Sequence, residues 1–116
     1  MDPVKRWRIT PELELKVRRR DLNCIYCGVA MLEAPLADGS RKTVGTWEHI
    51  INDERIVTPE NIARCCWSCN SSKGTKALSI WIESKFCKRR GISWDTVADI
   101  VKQALTVAAS NATSTR

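Results

Sequence analysis

Two cysteine pairs of identical spacing, Cys24-Ile-Tyr-Cys27 and Cys66-Trp-Ser-Cys69, bracket the middle third of a chain of 116 residues. Two residues between cysteines let both sulfurs of a pair reach one ion, and four thiolates complete the tetrahedral shell of a structural zinc. Disulfides and a Cys-x-x-Cys redox motif are the rival readings. The N-terminus lacks the apolar stretch of a signal peptide, which suggests a reducing compartment, and no βαβ pattern surrounds either pair, so zinc is favoured. Any fold must then bring the two pairs to one point. Cys65 adjoins Cys66 and is an alternative ligand, although spacing favours Cys66; Cys65 and Cys87 read as buried apolar thiols.

With 43% hydrophobic residues, the chain supports one small core and not two. The expected organisation is a single domain over residues 1–109 and a frayed polar tail at 110–116. No run of eighteen apolar residues occurs, so a membrane span is not expected and a soluble, cytoplasmic protein is. The formal net charge is +6, falling to about +4 once four thiolates hold a dication. The positive charge is clustered at Lys5, Arg6 and Arg8, at Lys16 and Arg18 to Arg20, at Arg41 and Lys42, at Lys73 and Lys76, and at Lys85 and Lys88 to Arg90. Such clusters suit a polyanion, since neutralised phosphates release condensed counterions, and they equally suit a solvated surface.

Thr10-Pro11-Glu12 reads as a helix start, with a hydroxyl cap, a proline where no amide hydrogen is needed and an acid at the positive end of the dipole. The helix should run to about Asp21. Pro35 to Ser40 carries turn residues, and Arg41 to Ile51 favours a strand weakened by Gly45. Thr58-Pro59-Glu60 repeats the helix-start signal, and Ser68 to Lys73 suits a short helix capped by Ser68 and ended by Gly74. One full helix is expected over Leu78, Trp81, Ile82, Lys85 and Phe86, ending at Gly91, and a last one capped by Ser93. In that last helix Val97, Ile100, Val101, Ala104, Leu105 and Ala108 form an apolar stripe for the core or a partner. The five tryptophans suit core packing, with base stacking as the alternative.

Between the cysteine pairs stands the only histidine, in Trp47-Glu48-His49-Ile50, and Asn61-Ile62 follows it. A lone histidine beside a carboxylate is compatible with an ordinary surface or core residue. The whole order, Cys24-x-x-Cys27, Glu48-His49-Ile50, Asn61-Ile62 and Cys66-x-x-Cys69-Asn70-x-x-Lys73-Gly74, resembles the cysteine-rich branch of the HNH endonuclease family over roughly residues 15–78. The resemblance implies an α+β fold: a ββα-metal (His-Me finger) core with a four-cysteine structural zinc knot, and flanking helices over about 78–109. It implies a metal-dependent DNA endonuclease or nickase in which His49 is the general base that activates water. Glu48 and Asn70 would hold a catalytic magnesium or manganese ion, while Asn61 would orient the base. Glutamate stands where the family more often has aspartate or histidine.

Lys73 lies one helical turn from Asn70 and could approach the same phosphate, although a solvated lysine fits as well. Arg18, Arg19 and Arg20 are the leading DNA-backbone contacts, with Arg41 and Lys42 next; such contacts position DNA without reading its sequence. One centre cuts one strand, so the expected protein is a nicking monomer or a homodimer, with either low intrinsic sequence specificity or an additional protein supplying target specificity. The alternative function is a non-catalytic, zinc-stabilised nucleic-acid-binding module.

Overall fold

The computed structural model describes the backbone of residues 2–114 and the side chains of residues 2–107. It is an α+β structure with elements in the order α1 (Pro3–Arg6), α2 (Pro11–Arg20), β1 (Gly45–His49), β2 (Ile62–Cys66), α3 (Trp67–Lys73), α4 (Leu78–Trp81), α5 (Lys85–Arg90) and α6 (Asp99–Ser114). Helix α2 starts as expected: Thr10 Oγ1 accepts from the Leu13 amide at 3.1 Å, Pro11 opens the first turn, and Glu12 and Glu14 face the dipole. Its buried residue is Val17, and its basic end leads directly into the first cysteine pair.

Strands β1 and β2 form a two-stranded antiparallel sheet in which Gly45 pairs with Cys66 and His49 with Ile62. The expected strand over 41–51 is thus trimmed to five residues. Turn geometry takes the preceding positions, and the Val44 carbonyl accepts instead from the amide of Trp67. The second strand is buried along its whole length, with Cys66 of the second cysteine pair at its end. Thr58-Pro59-Glu60 does not start a helix. The Thr58 carbonyl accepts from both Asn61 and Ile62, closing a turn that feeds β2.

Three further boundaries differ from expectation. The cap of α3 is Cys66, whose sulfur accepts from the Cys69 amide at 3.5 Å, and Ser68 lies inside the helix, although Gly74 does end it. The expected helix over 78–90 is two short ones, because Ser84 leaves the helical region and caps α5 through the Cys87 amide. Gly91 terminates α5 in the left-handed region, φ 68°. Ser93 caps a turn at Asp95 rather than the last helix, which begins at Asp99 and continues to Ser114, past the expected end at Ala109. Thr115 and Arg116 lie outside the described residues, as does the side chain of Ala108.

The larger core gathers Tyr26, Ile50, Cys65, Trp81, Val97, Val101 and Leu105. Val101 and Leu105 are therefore buried against their own chain, so the stripe expected to serve a core or a partner serves the core. A smaller cluster of Ile9, Val17, Trp47 and Ile62 covers the opposite face of the hairpin, with Val4, Trp7 and Leu13 packed on it. Trp81 is fully buried, Trp47 nearly so, and Trp67 and Trp94 are exposed. No helix among the described residues is long and apolar enough to cross a membrane.

Candidate functional site

The four sulfurs of Cys24, Cys27, Cys66 and Cys69 lie within 4.8 Å of one another. The distance from Cys27 Sγ to Cys66 Sγ is 3.7 Å, against an edge of about 3.8 Å for a sulfur tetrahedron with metal–sulfur bonds near 2.3 Å. Cys24 and Cys27 sit on a tight turn in which the Gly28 amide returns to the Cys24 carbonyl and Gly28 takes φ 79°, where a Cβ would be strained. The Tyr26 and Cys27 amides point at Cys24 Sγ, at 3.4 and 3.5 Å. Hydrogen bonding from Cys24 and Cys66 holds the Cys27 thiol well below its ordinary range, whereas hydrogen bonding with Cys24, Cys27 and Cys66, followed by burial, pushes the Cys69 thiol far up. Four sulfurs this close cannot all ionise without a cation among them. The cluster fits a metal such as zinc, and the Cys65 alternative fails because that thiol faces Thr46 on the other side of β2.

The strand between the cysteine pairs sends alternate side chains to opposite faces. Thr46 and Glu48 face α3. Thr46 Oγ1 donates to the Cys65 carbonyl at 2.7 Å and accepts from Asn70 Nδ2 at 2.8 Å. Glu48 Oε2 accepts from the Tyr26 hydroxyl at 2.7 Å and pairs with Lys73 Nζ at 3.2 Å. Burial pushes the Glu48 carboxyl above its usual range, while Lys73 and Tyr26 oppose that by stabilising the anion. Its second oxygen, Oε1, makes no side-chain hydrogen bond among the described residues, and the backbone amide of His49 also favours the anion. Asn70 Nδ2 also donates to the Trp47 carbonyl at 3.2 Å, which fixes the amide and leaves Asn70 Oδ1 likewise without a partner.

His49 faces the other way. Its ring meets Trp7 edge-on with centroids 4.2 Å apart, and its Nε2 is buried without a hydrogen-bond partner. Burial draws the imidazole below its ordinary pKa, against the opposing pull of the Glu54 backbone and carboxylate. Because β1 ends at His49, one cleft of about 530 Å³ wraps the strand end and is lined by Glu48 and Asn70 together with His49 and Trp7. Glu48 and His49, whose side chains leave opposite faces of β1, thus both line one cleft.

Asn61 is 3% exposed and clamps the loop that follows His49. Its Oδ1 accepts from the Ile51 amide at 2.7 Å, and its Nδ2 donates to the carbonyls of Ile51 and Ile56 at 3.2 and 3.1 Å. Asn61→Ala removes three hydrogen bonds from a buried site and is expected to cost about 2–3 kcal/mol. Urea unfolding checks the loss, and hydrogen exchange should show faster opening at the Ile51 amide.

The basic residues divide into two groups. Arg20 donates to both oxygens of Asp21 and to the carbonyls of Pro59 and Ile62, so its guanidinium is spent inside the protein. Arg18 bridges Glu14 and Glu33 and lies over the Trp47 ring. Lys73 is 1% exposed, which removes it from the surface where it was expected to meet a phosphate or solvent. Replacing it with methionine leaves Glu48 buried without its cation, with an expected destabilisation of about 3–5 kcal/mol. Denaturant titration of Lys73→Met beside Lys73→Met/Glu48→Gln tests this, since neutralising Glu48 should restore much of the loss. Arg19, Arg41 and Lys42 are exposed and have no ion pair among the described residues.

Comparison with known proteins adds no relative. No family model, curated protein or solved structure matches the chain. The site therefore rests on its own geometry. Sequence reasoning missed Tyr26 and Lys73 as the buried partners of Glu48, and the N-terminal residues Arg6 and Trp7 as walls of the cleft. A cue for Lys73 was available, because an acid on a strand bound for the core requires a counter-charge.

Proposed function

We propose that this chain is a metal-dependent DNA endonuclease or nickase of HNH type, with β1, β2 and α3 forming a ββα-metal core braced by the zinc knot. The observation that carries the reading is that His49, whose buried Nε2 has no hydrogen-bond partner, lines one cleft together with Glu48 and Asn70. A buried nitrogen without a partner is costly in a folded protein, and a substrate-side water would satisfy it. In this reading Nε2 takes a proton from that water as its oxygen attacks phosphorus. His49 serves as base in its neutral form, which burial favours.

Glu48 Oε1 and Asn70 Oδ1 are hard oxygen donors suited to magnesium or manganese. A divalent cation held by them would stabilise the pentavalent phosphate and the leaving oxygen. The surrounding residues fix those donors: Tyr26 and Lys73 hold the far oxygen of Glu48, and Thr46 and the Trp47 carbonyl orient the Asn70 amide. Asn61 restrains the loop beyond His49 and acts as a positioning residue. Asn61→Ala should therefore lower cleavage as well as stability.

The basic surface residues Arg19, Arg41 and Lys42 supply candidate phosphate contacts, and one centre cleaves one strand. Supercoiled plasmid should be relaxed with magnesium or manganese and left intact in EDTA. Salt-sensitive DNA binding without cleavage under any divalent ion would replace this reading with that of a zinc-stabilised binding module.

A further inference from the structure

Residues 3 to 9 form a short arm that the apolar contacts of the smaller cluster hold against the hairpin. Helix α1 is capped by Asp2, whose carboxylate accepts from the Val4 amide at 3.0 Å. The chain then reverses at Arg8, a non-glycine residue in the left-handed region at φ 58°. That conformation is uncommon for an arginine. It is held by a 2.9 Å hydrogen bond from the Ile9 amide to the Val4 carbonyl and by Ile9, which is 6% exposed. The reversal directs Trp7 onto the His49 ring, and Pro3, Arg6 and Trp7 form one wall of the cleft.

Among the described residues Arg6 is the only arginine or lysine lining that cleft. It is exposed, makes no ion pair among the described residues, and carries its guanidinium 5.5 Å from the Trp7 ring centroid. The nearby cation Lys73 is already paired with Glu48. A phosphodiester entering the cleft would thus find one free fixed positive charge, and it would come from the arm. The planar guanidinium also matches the geometry of two phosphate oxygens.

We propose that the N-terminal arm is part of the active centre and that Arg6 is its contact to the backbone phosphate of the DNA beside His49. The inference rests on the nuclease reading for its location and on charge for its ligand. Trp7 places Arg6 by docking on His49, so the two residues act as a unit.

Binding of a short mixed-sequence duplex, measured without added divalent ion across a range of salt, reads Arg6 whether or not the wild type cuts. Arg6→Ala should reduce the slope of log affinity against log salt by about one, the release expected for one phosphate, and Arg6→Lys should restore it. In plasmid cleavage Arg6→Ala should lower kcat/KM by about tenfold, as for one charge-assisted contact. Because the Trp7→Ala variant frees the arm, adding Arg6→Ala to it should cost nothing further in binding. Zinc content and a cooperative unfolding transition confirm that this variant is folded. An unchanged salt slope in Arg6→Ala would overturn the contact, and an equal loss from Arg6→Ala in both backgrounds would overturn the role of the docked arm. Failure of the wild type to cut, with the Arg6 slope effect present, would sink the nuclease reading and leave a phosphate contact.

Discussion

Replacing Cys69 with serine, or stripping the metal with a strong chelator, is expected to convert the folded chain into one without a cooperative unfolding transition. The two pairs come from a turn after α2 and from the junction of β2 with α3, so the knot joins both sides of the hairpin. A structural zinc contributes apparent folding free energy on the order of 10 kcal/mol. That is comparable to the whole stability of a typical domain. Circular dichroism and metal analysis on the same samples check the outcome: one zinc per chain with native signal in the wild type, and loss of both together after stripping. Cys87→Ser is the control. Its thiol is buried in the larger core but lies outside the tetrahedron, so it should keep its zinc and lose only a modest amount of stability.

His49→Ala is expected to lower cleavage by about 10²–10⁴-fold, the usual contribution of a positioned general base. Its zinc content should stay at the wild-type value, and it should still bind DNA, losing no more affinity than the single Arg6 contact that Trp7 positions against His49. The imidazole lies on the face of β1 away from the Glu48–Lys73 pair, and the cysteine cluster shares no hydrogen bond with it. The substitution does open space beneath Trp7, so a small loss of stability should accompany it. Cleavage that survives in His49→Ala would mean that another group activates the water.

The elements most legible in the sequence are those governed by local chemistry. Thr10 and Pro11 start α2 because capping depends on the residues at the helix end alone, and Gly91 ends α5 for the same reason. The cysteine cluster follows from spacing, and the buried stripe of Val101, Ala104 and Leu105 from helical periodicity, whereas Val97 packs from the turn before α6. Asn61, singled out by the family resemblance, makes three hydrogen bonds to the loop after His49.

What was illegible depends on tertiary partners. Thr58-Pro59-Glu60 has a helix-start sequence, but pairing of Ile62 with His49 draws the chain into β2 instead. Ser84 stands within an apolar pattern of helical spacing, and only its bond to the Cys87 amide marks the break between α4 and α5. Lys73 reads as a free cation one turn from Asn70, whereas the hairpin places Glu48 against it in the interior. The arm was hidden because Arg6 and Trp7 lie far along the chain from His49, and the reversal at Arg8 has no residue-type signal.

The most direct test is the rate of supercoiled plasmid relaxation by wild type and His49→Ala at equal zinc content, each with magnesium, manganese or EDTA. The account predicts relaxation by the wild type with a divalent ion only, and its near-complete loss in the variant while DNA is still bound. Equal rates in the two proteins, or DNA bound by the wild type and never cut under any of these ions, would contradict it.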